Sequence, residues 1–349
     1  MPFGTAKPDH LTAAASFRML ALAATLFQSV LPCFAAVDVA IATPRHSAAS
    51  SNPLADSEKL VMQGRVDDAV LKLRGIVAGS PQNGNAHLLL CRAFYSEELP
   101  DEAVPECEAA LVTLANDSKA QDWMGRAYGL KADRSGPIAG YKLATKVKTA
   151  FETAVELDPK NGDAVNDIGE YYVGAPSIVG GGVDKAFALA DRAEGQLPQV
   201  AHRIRALAAE KQHDYDMAER EFKAAVATGG SSDAWTDLGH FYSRHGQKAQ
   251  ALDALQHALS VDKGHGPALV DVAAILIKMN TAPDIAQRAL HDYLASNAKS
   301  DSAPAFKAYV ELGQILDKGG DKQGAQAQFQ SALALARDYP PAKKAIQHL

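Results

Sequence analysis

The sequence is poor in aromatic residues, which make up 7% of 349 positions, and it holds only two tryptophans and three cysteines. Its abundant alanine fits helices drawn together through small residues better than it fits a sheet core. No long block of one charge is present: 35 Lys and Arg stand against 41 Asp and Glu, for a formal charge of -6. Basic residues are outnumbered and mostly offset by acidic neighbours, which argues against a nucleic-acid surface. The motifs of nucleotide and metalloprotease chemistry, GxxxxGKS or GxxxxGKT, GxGxxG and HExxH, are missing. No serine or cysteine stands in a recognisable nucleophile setting, so the expectation is a non-enzyme without cofactors.

What the chain has is a helical pattern, clearest from Asp233 to Lys263, DAWTDLGHFYSRHGQKAQALDALQHALSVDK. Leu238, Gly239 and Tyr242 follow Trp235 at three, four and seven residues; Ala251, Leu255 and Ala258 follow it at sixteen, twenty and twenty-three. These spacings predict two amphipathic helices around one turn. The first buries Trp235, Leu238 and Tyr242 on one face. Gly239 on that face removes the side chain that would hold the second helix away, and Ala251 and Ala258 are its small counterparts. Gly246 marks the end of the first helix. This order of Trp, Leu, Gly, Tyr, Ala and Ala resembles a tetratricopeptide repeat, with Lys263 where that pattern prefers proline. The resemblance implies an all-α fold, a right-handed α-solenoid of stacked helix-turn-helix units.

Residues 1–35 read as a signal peptide: Lys7 and Arg18 precede the apolar run Met19 to Ala36, and Cys33 and Ala35 are small residues before a cut near Ala35. The same run is nearly long enough to span a bilayer, so an uncleaved anchor is the alternative, and only then is membrane contact expected. Cys33 raises a lipoprotein reading, from which Pro32 departs. Residues 36–53, including IATPRHSAASSN, read as a flexible linker. The solenoid is expected over residues 54–349, in a periplasmic or secreted protein.

About eight repeats of roughly 34 residues account for this span. The first is degenerate, with Leu60, Gly64, Ala69, Leu73, Ile76 and Pro81. The second carries Leu90, Cys91 and Phe94, then Ala103, Cys107 and Ala110. The third, from Met124, Gly125 and Tyr128 to Phe151, Ala154 and Pro159, is about ten residues too long. Gly136 and Pro137 start its second helix early, so that helix should project roughly 15 Å beyond its neighbours. The fourth has Ile168, Gly169 and Tyr172, then an insert, GAPSIVGGGVDKA from Gly174 to Ala186. The fifth to eighth carry Ala206 with Ala218, Gly239 with Ala251, Ala274 with Ala286, and Gly313 with Ala325; the polar break SNAKSDSAP separates the last two. Ala342 to Leu349 form a capping helix. FExAVxLDP, here Phe151 to Pro159, followed by APxxxGGGxxKA, resembles a group of exported bacterial tetratricopeptide proteins. That resemblance implies an exported helical scaffold with no reaction attached to it. The glycine pair and KA element also resemble the helical accessory subunit of tripartite periplasmic solute transporters.

Gly180 to Gly182 precede a helix that could hold an anion, but Asp184 would repel a phosphate, and the run reads as a turn. His240 and His245 turn to different faces of one helix and cannot share a metal. Tyr171, Tyr172, Phe241 and Tyr242 read as core. Cys91 and Cys107 fall on facing helices of one repeat; they are either a disulfide closing a loop of about 17 residues or two buried alanine substitutes.

Function therefore rests on surface. In this repeat class the first helices line the concave side. Their candidate partner-binding residues are Arg92, Tyr95, Arg126, Asn166, Glu170, Arg203, His240 and Arg244. Arginines along one groove suit a peptide with acidic residues or a free carboxyl end. The expected function is a non-catalytic exported scaffold that binds a protein or peptide in its concave groove. The alternative is an accessory subunit of a periplasmic solute transporter binding a small molecule in an apolar cavity.

Overall fold

Helix starts are fixed by short local signals. Asn83, Asp117, Asn161, Asp214, Ser231 and Asp321 each accept, through the side chain, a backbone N–H of the first turn. Pro53, Pro100, Pro137, Pro198, Pro283 and Pro340 occupy the first helical position, where a missing N–H costs nothing. The computed structural model describes residues 52–349; the expected signal peptide and all but the end of the expected linker lie outside the described residues. Among the described residues there are seventeen α-helices and no strand.

The helices follow one another in antiparallel pairs: α1 (Pro53–Met62) with α2 (Val66–Gly79), α3 (Gly84–Ser96) with α4 (Pro100–Leu114), α5 (Ser118–Asp133) with α6 (Pro137–Leu157), and α7 (Gly162–Gly174) with α8 (Val183–Ala193). Then come α9 (Pro198–Lys211) with α10 (Tyr215–Gly229), α11 (Ser232–Arg244) with α12 (Lys248–Val261), α13 (Ala268–Met279) with α14 (Pro283–Ala295), and α15 (Ala305–Lys318) with α16 (Lys322–Leu335). A last helix, α17 (Pro340–Gln347), packs on α15 and α16. Each odd-numbered helix from α1 to α13 also touches the next odd-numbered one, so these form a continuous inner row. This is a helical-repeat solenoid.

The core is built from small residues set against large ones. Ala69, Ala103, Ala186, Ala218, Ala251, Ala286 and Ala325, one in the second helix of each pair but the third, are fully buried. Opposite Ala251, a methyl added to Gly239 would stand 2.8 Å from the Leu255 side chain, so the two helices close only because glycine is there. Gly125 and Gly313 meet the rings of Phe151 and Phe329 in the same way. Gly169 differs: it faces Ile204 of α9, at 2.7 Å, because α8 has only 11 residues and the insert intervenes. Trp235 is only partly buried and stacks on His257 at 4.6 Å, so it shields the helix pair from one side instead of filling its centre.

The two insertions form one structural unit. Helix α6 has 21 residues against 13 to 15 in most of its counterparts, which lengthens it by about 10 Å, less than the expected 15 Å. The difference arises because α5 is itself extended to 16 residues and runs alongside. The segment Gly174–Gly182 folds over α6, with Ser177–Val179 in a short 3-10 turn, and the Tyr171 hydroxyl lies 2.9 Å from the Ala144 carbonyl and 2.8 Å from that of Val179. Gly180 has φ +95° and lies over the Lys148 chain, where a side chain would collide. The glycine run is therefore a backbone turn against a helix.

The ends of the stack meet. Arg337 donates from its backbone N–H and from Nε to Asp67 of α2, at 3.1 and 2.9 Å. The Asp338 N–H donates to Glu97 at 3.3 Å, and Arg92 Nε donates to Asp301 at 2.7 Å. At Gly64 any side chain would strike the backbone N of Ala305, 2.6 Å away. One apolar cluster contains Leu60, Val61 and Val66 from the first pair together with Phe306, Phe329 and Tyr339 from the last. The polar break before α15 is thus an ordered hook, held by the buried Tyr293 hydroxyl through the Ala303 carbonyl and the Ser300 N–H. The final residues pack on their own repeat, as a cap does, while Arg337 and Asp338 beside them bind the first repeats.

Cys91 and Cys107 face each other with Cα atoms 5.1 Å apart and sulphurs at bonding distance, a separation that a disulfide spans.

Gly239→Leu should cost roughly 1 to 3 kcal/mol through overpacking against Leu255; an unchanged denaturant midpoint would contradict the α11–α12 pairing. Burial, with Asp67 and Asp338 adding, raises Glu97 to about 7. Its folded value lies above the unfolded one, so its contribution is full below about pH 4.5 and is lost as pH rises through about 7. Glu97→Gln should therefore flatten the fall in melting temperature between about pH 5 and pH 8; an identical pH slope would show that the junction does not hold a protonated carboxyl.

Candidate binding cleft

The inner row of helices carries one polar face in a repeated register. Asp163 and Asp233 each lie six residues before the glycine of their helix, Gly169 and Gly239, and Asp167 and Asp237 each lie two before it. Stacking aligns these positions, together with residues of α5, α9 and α13, around a cleft of about 390 Å³. Its charged lining is Asp163, Asp167, Asp233, Asp237 and Asp271 against Arg126 and Arg203; Asn166, Gln199 and Thr236 complete the polar part.

Both arginines are already engaged. Arg126 Nε lies 2.6 Å from Asp167 on α7 and 3.2 Å from Asp122 one turn before it on α5. Arg203 donates from Nε to Asp237 at 2.8 Å and reaches Glu170 at 2.7 Å and the Asn166 side-chain oxygen at 2.5 Å, joining α9 to both neighbours. These pairs are partly buried ties between inner helices. Both guanidiniums are held firmly protonated: burial opposes the charge, but the carboxylates around them outweigh it.

The carboxylates outnumber those two cations, and several of them are raised above the usual carboxylate range, chiefly by burial. Asp122 is 3% exposed and pushed up to about 7 by burial, with Asp167 and Asp163 adding and Arg126 opposing. Its Oδ1 has no hydrogen-bond partner among the described residues. Burial also raises Asp237 and Asp271, opposed by Arg203 and Lys307 respectively, while nearby carboxylates add to the rise. Asp233 is raised by burial and by Asp262. Asp163, Asp233 and Asp271 have no ion-pair partner among the described residues.

The residues singled out from sequence divide into three groups. Arg126, Asn166 and Arg203 line the cleft, and Glu170 stands beside Arg203. Arg92 and Tyr95 sit near the meeting point of the two ends: Arg92 pairs with Asp301, and its guanidinium lies 5.5 Å from the Trp123 ring, against which Tyr95 packs edge-on. His240 and Arg244 lie on α11, away from the cleft lining. Arg244 forks onto Glu210 at 2.8 and 2.6 Å. Burial, with Arg244 and Lys278, pushes His240 down to about 4, so its imidazole is neutral at pH 7.

An acidic peptide therefore finds no free arginine among Arg92, Arg126, Arg203 and Arg244. Asp122, Asp163, Asp167, Asp233, Asp237 and Asp271 were not anticipated from sequence, although the fixed offsets from Gly169 and Gly239 would have found four of them. No group of three or more His, Cys, Asp and Glu among the described residues is arranged to hold a metal ion.

Residues 60–120 match the family described as tetratricopeptide repeat, and residues 202–337 match the cilia and flagella-associated protein 70 middle TPR-like domain. The chain is similar to superkiller complex protein 3 of Mus musculus, 25% identical over 296 residues. That match takes in 81% of the chain but only 18% of the mouse protein, so the chain spans under a fifth of its length. Among solved structures, yeast Tom70 is similar with a TM-score of 0.52 and 16% identity, over 88% of this chain and 65% of that one. A tetratricopeptide repeat protein from Parabacteroides merdae has a TM-score of 0.43 and 14% identity, over 84% of this chain and 96% of its own. At 16% identity the likeness to Tom70 shows the fold alone.

Asp122→Asn should recover stability above pH 7. Burial raises the folded value of Asp122, so its contribution is lost as pH rises through about 7. Thermal melts at about pH 5 and pH 8 should converge in the variant; a variant less stable at both would mean that the ionised carboxylate is needed by Arg126.

Proposed function

We propose that this tetratricopeptide-type helical repeat protein is an exported, non-catalytic scaffold that holds a protein or peptide in the cleft of its inner helices. The observation that carries this reading is the cleft itself. Five successive inner helices contribute polar side chains to one preformed concavity, so little ordering cost opposes association. Helical repeats of this type generally bind protein or peptide partners and generally lack catalytic activity. The cleft matches that use, with side chains suited to contact and no nucleophile paired with a base.

Export rests on the apolar stretch from Met19 to Ala36 behind Lys7 and Arg18. The geometry of Cys91 and Cys107 supports it, because a bridge there is kept in an oxidising compartment such as the periplasm. No helix among the described residues is long and apolar enough to cross a membrane.

Crosslinking in the native cells tests the scaffold. Wild-type protein should capture a discrete protein that Val200→Trp loses, since this change fills the cleft without altering its charge. Equal capture by a variant with unchanged melting would remove the cleft from the function. The mass of the exported scaffold itself tests export in the same preparation: residues 36–349 are expected, and a full-length mass would indicate a retained anchor.

A further inference from the structure

The two ends of the stack meet around one buried carboxyl. Glu97 ends α3, with its backbone N–H still bonded to the Ala93 carbonyl, and the residue is 3% exposed. Across the junction its Oε1 accepts the Asp338 N–H at 3.3 Å, from 241 positions away. Three charged groups face it from the elements packed around it: Asp67 on α2, and Arg337 and Asp338 on the link between α16 and α17. The nearby cations are all committed elsewhere. Arg337 pairs with Asp67 at 2.9 Å, and Lys343 of α17 pairs with Asp338 at 2.7 Å. On the near side of the junction, Arg134 of α5 pairs with Glu98 at 2.8 Å and Lys131 with Asp101 at 3.2 Å. Glu97 therefore has no ion-pair partner among the described residues.

A neutral carboxyl can sit between Asp67 and Asp338 and keep the bond to the Asp338 N–H. An ionised one is a buried charge beside two of its own sign. The protein can hydrate that charge without unfolding, because the junction joins repeats that are each held by their own neighbours in the stack. Parting α2 and α3 from the α16–α17 link brings Glu97, Asp67 and Asp338 to water together.

We infer that the junction of the first and last repeats is a proton-operated latch, which closes the stack while Glu97 is protonated and opens it when Glu97 ionises, leaving the repeats folded. The latch acts on the shape of the inner face and does not depend on which partner the cleft holds. Burial, opposed by the Asp338 N–H and Arg337 and helped by Asp67 and Asp338, raises Glu97 from 4.5 to about 7. The closed value lies above the open one, so closure is strongest below about pH 4.5 and is lost as pH rises through about 7. Closure should weaken by roughly tenfold or more between about pH 5 and pH 8. Val61, Val66, Phe306 and Tyr339, in one apolar cluster across the junction, oppose parting. Exchange of backbone amides registers an open form even where it is a minority.

Hydrogen exchange on the full chain, corrected for the intrinsic effect of pH, tests the latch at about pH 5 and pH 8. The N–H groups of Arg337 and Asp338, which donate across the junction to Asp67 and Glu97, report closure. Core amides of α11 and α12 report global unfolding. In wild type the junction amides should lose protection by roughly tenfold or more while the α11 and α12 amides hold theirs. In Glu97→Gln, which stays neutral, junction protection should be the same at both pH values. Unchanged junction protection in wild type would overturn the latch. Equal loss at the junction and in α11 and α12 would also overturn it, because the whole chain would then be opening. These two outcomes are read from wild type alone, whether or not the variant folds. A pH-dependent loss in Glu97→Gln as large as in wild type would assign the opening to another group and reject Glu97 as its switch.

Discussion

Close approach of two helices at a glycine or alanine is the constraint on which this molecule depends. Leu255 lies where a side chain on Gly239 would be, and Phe151 and Phe329 fill the corresponding space at Gly125 and Gly313. Each contact sets the distance and angle within a repeat, and the same geometry repeated gives the stack its curvature. The inner helices consequently face one another across a concave side. A wider pair at any of these points would change the register of every inner helix beyond it.

That curvature gathers charge. Residues that are separate on single helices converge once the helices stack, and the two arginines of the cleft become ties between neighbours. Arg203 links α9 to both α7 and α11, and Arg126 links α5 to α7. The cleft still holds more carboxylates than cations, and Asp163, Asp233 and Asp271 have no ion-pair partner among the described residues.

Closure of the stack on itself adds a second constraint. An open solenoid needs polar faces at both ends, but here the first and last repeats share an apolar cluster and several hydrogen bonds. The inner face is thereby held in one shape, as a preformed recognition surface requires. The insert of the fourth repeat does similar work on a smaller scale, covering the long helix of the third through Tyr171.

The sequence by itself determined the helices and their pairing. Periodicity, caps and the glycine–alanine pattern act within about 34 residues, and such local signals survive without knowledge of the rest of the chain. It also located the inner face and three of the cleft residues, Arg126, Asn166 and Arg203. Only the tertiary structure decided that those arginines are occupied, since Arg126 meets Asp167 from 41 positions away and Arg203 meets Asp237 from 34. It alone joined Arg92 to Asp301, 209 positions apart, and turned a polar break into the hook that closes the stack. Such pairings depend on the accumulated rotation from repeat to repeat, a property of packing angles that no single repeat encodes.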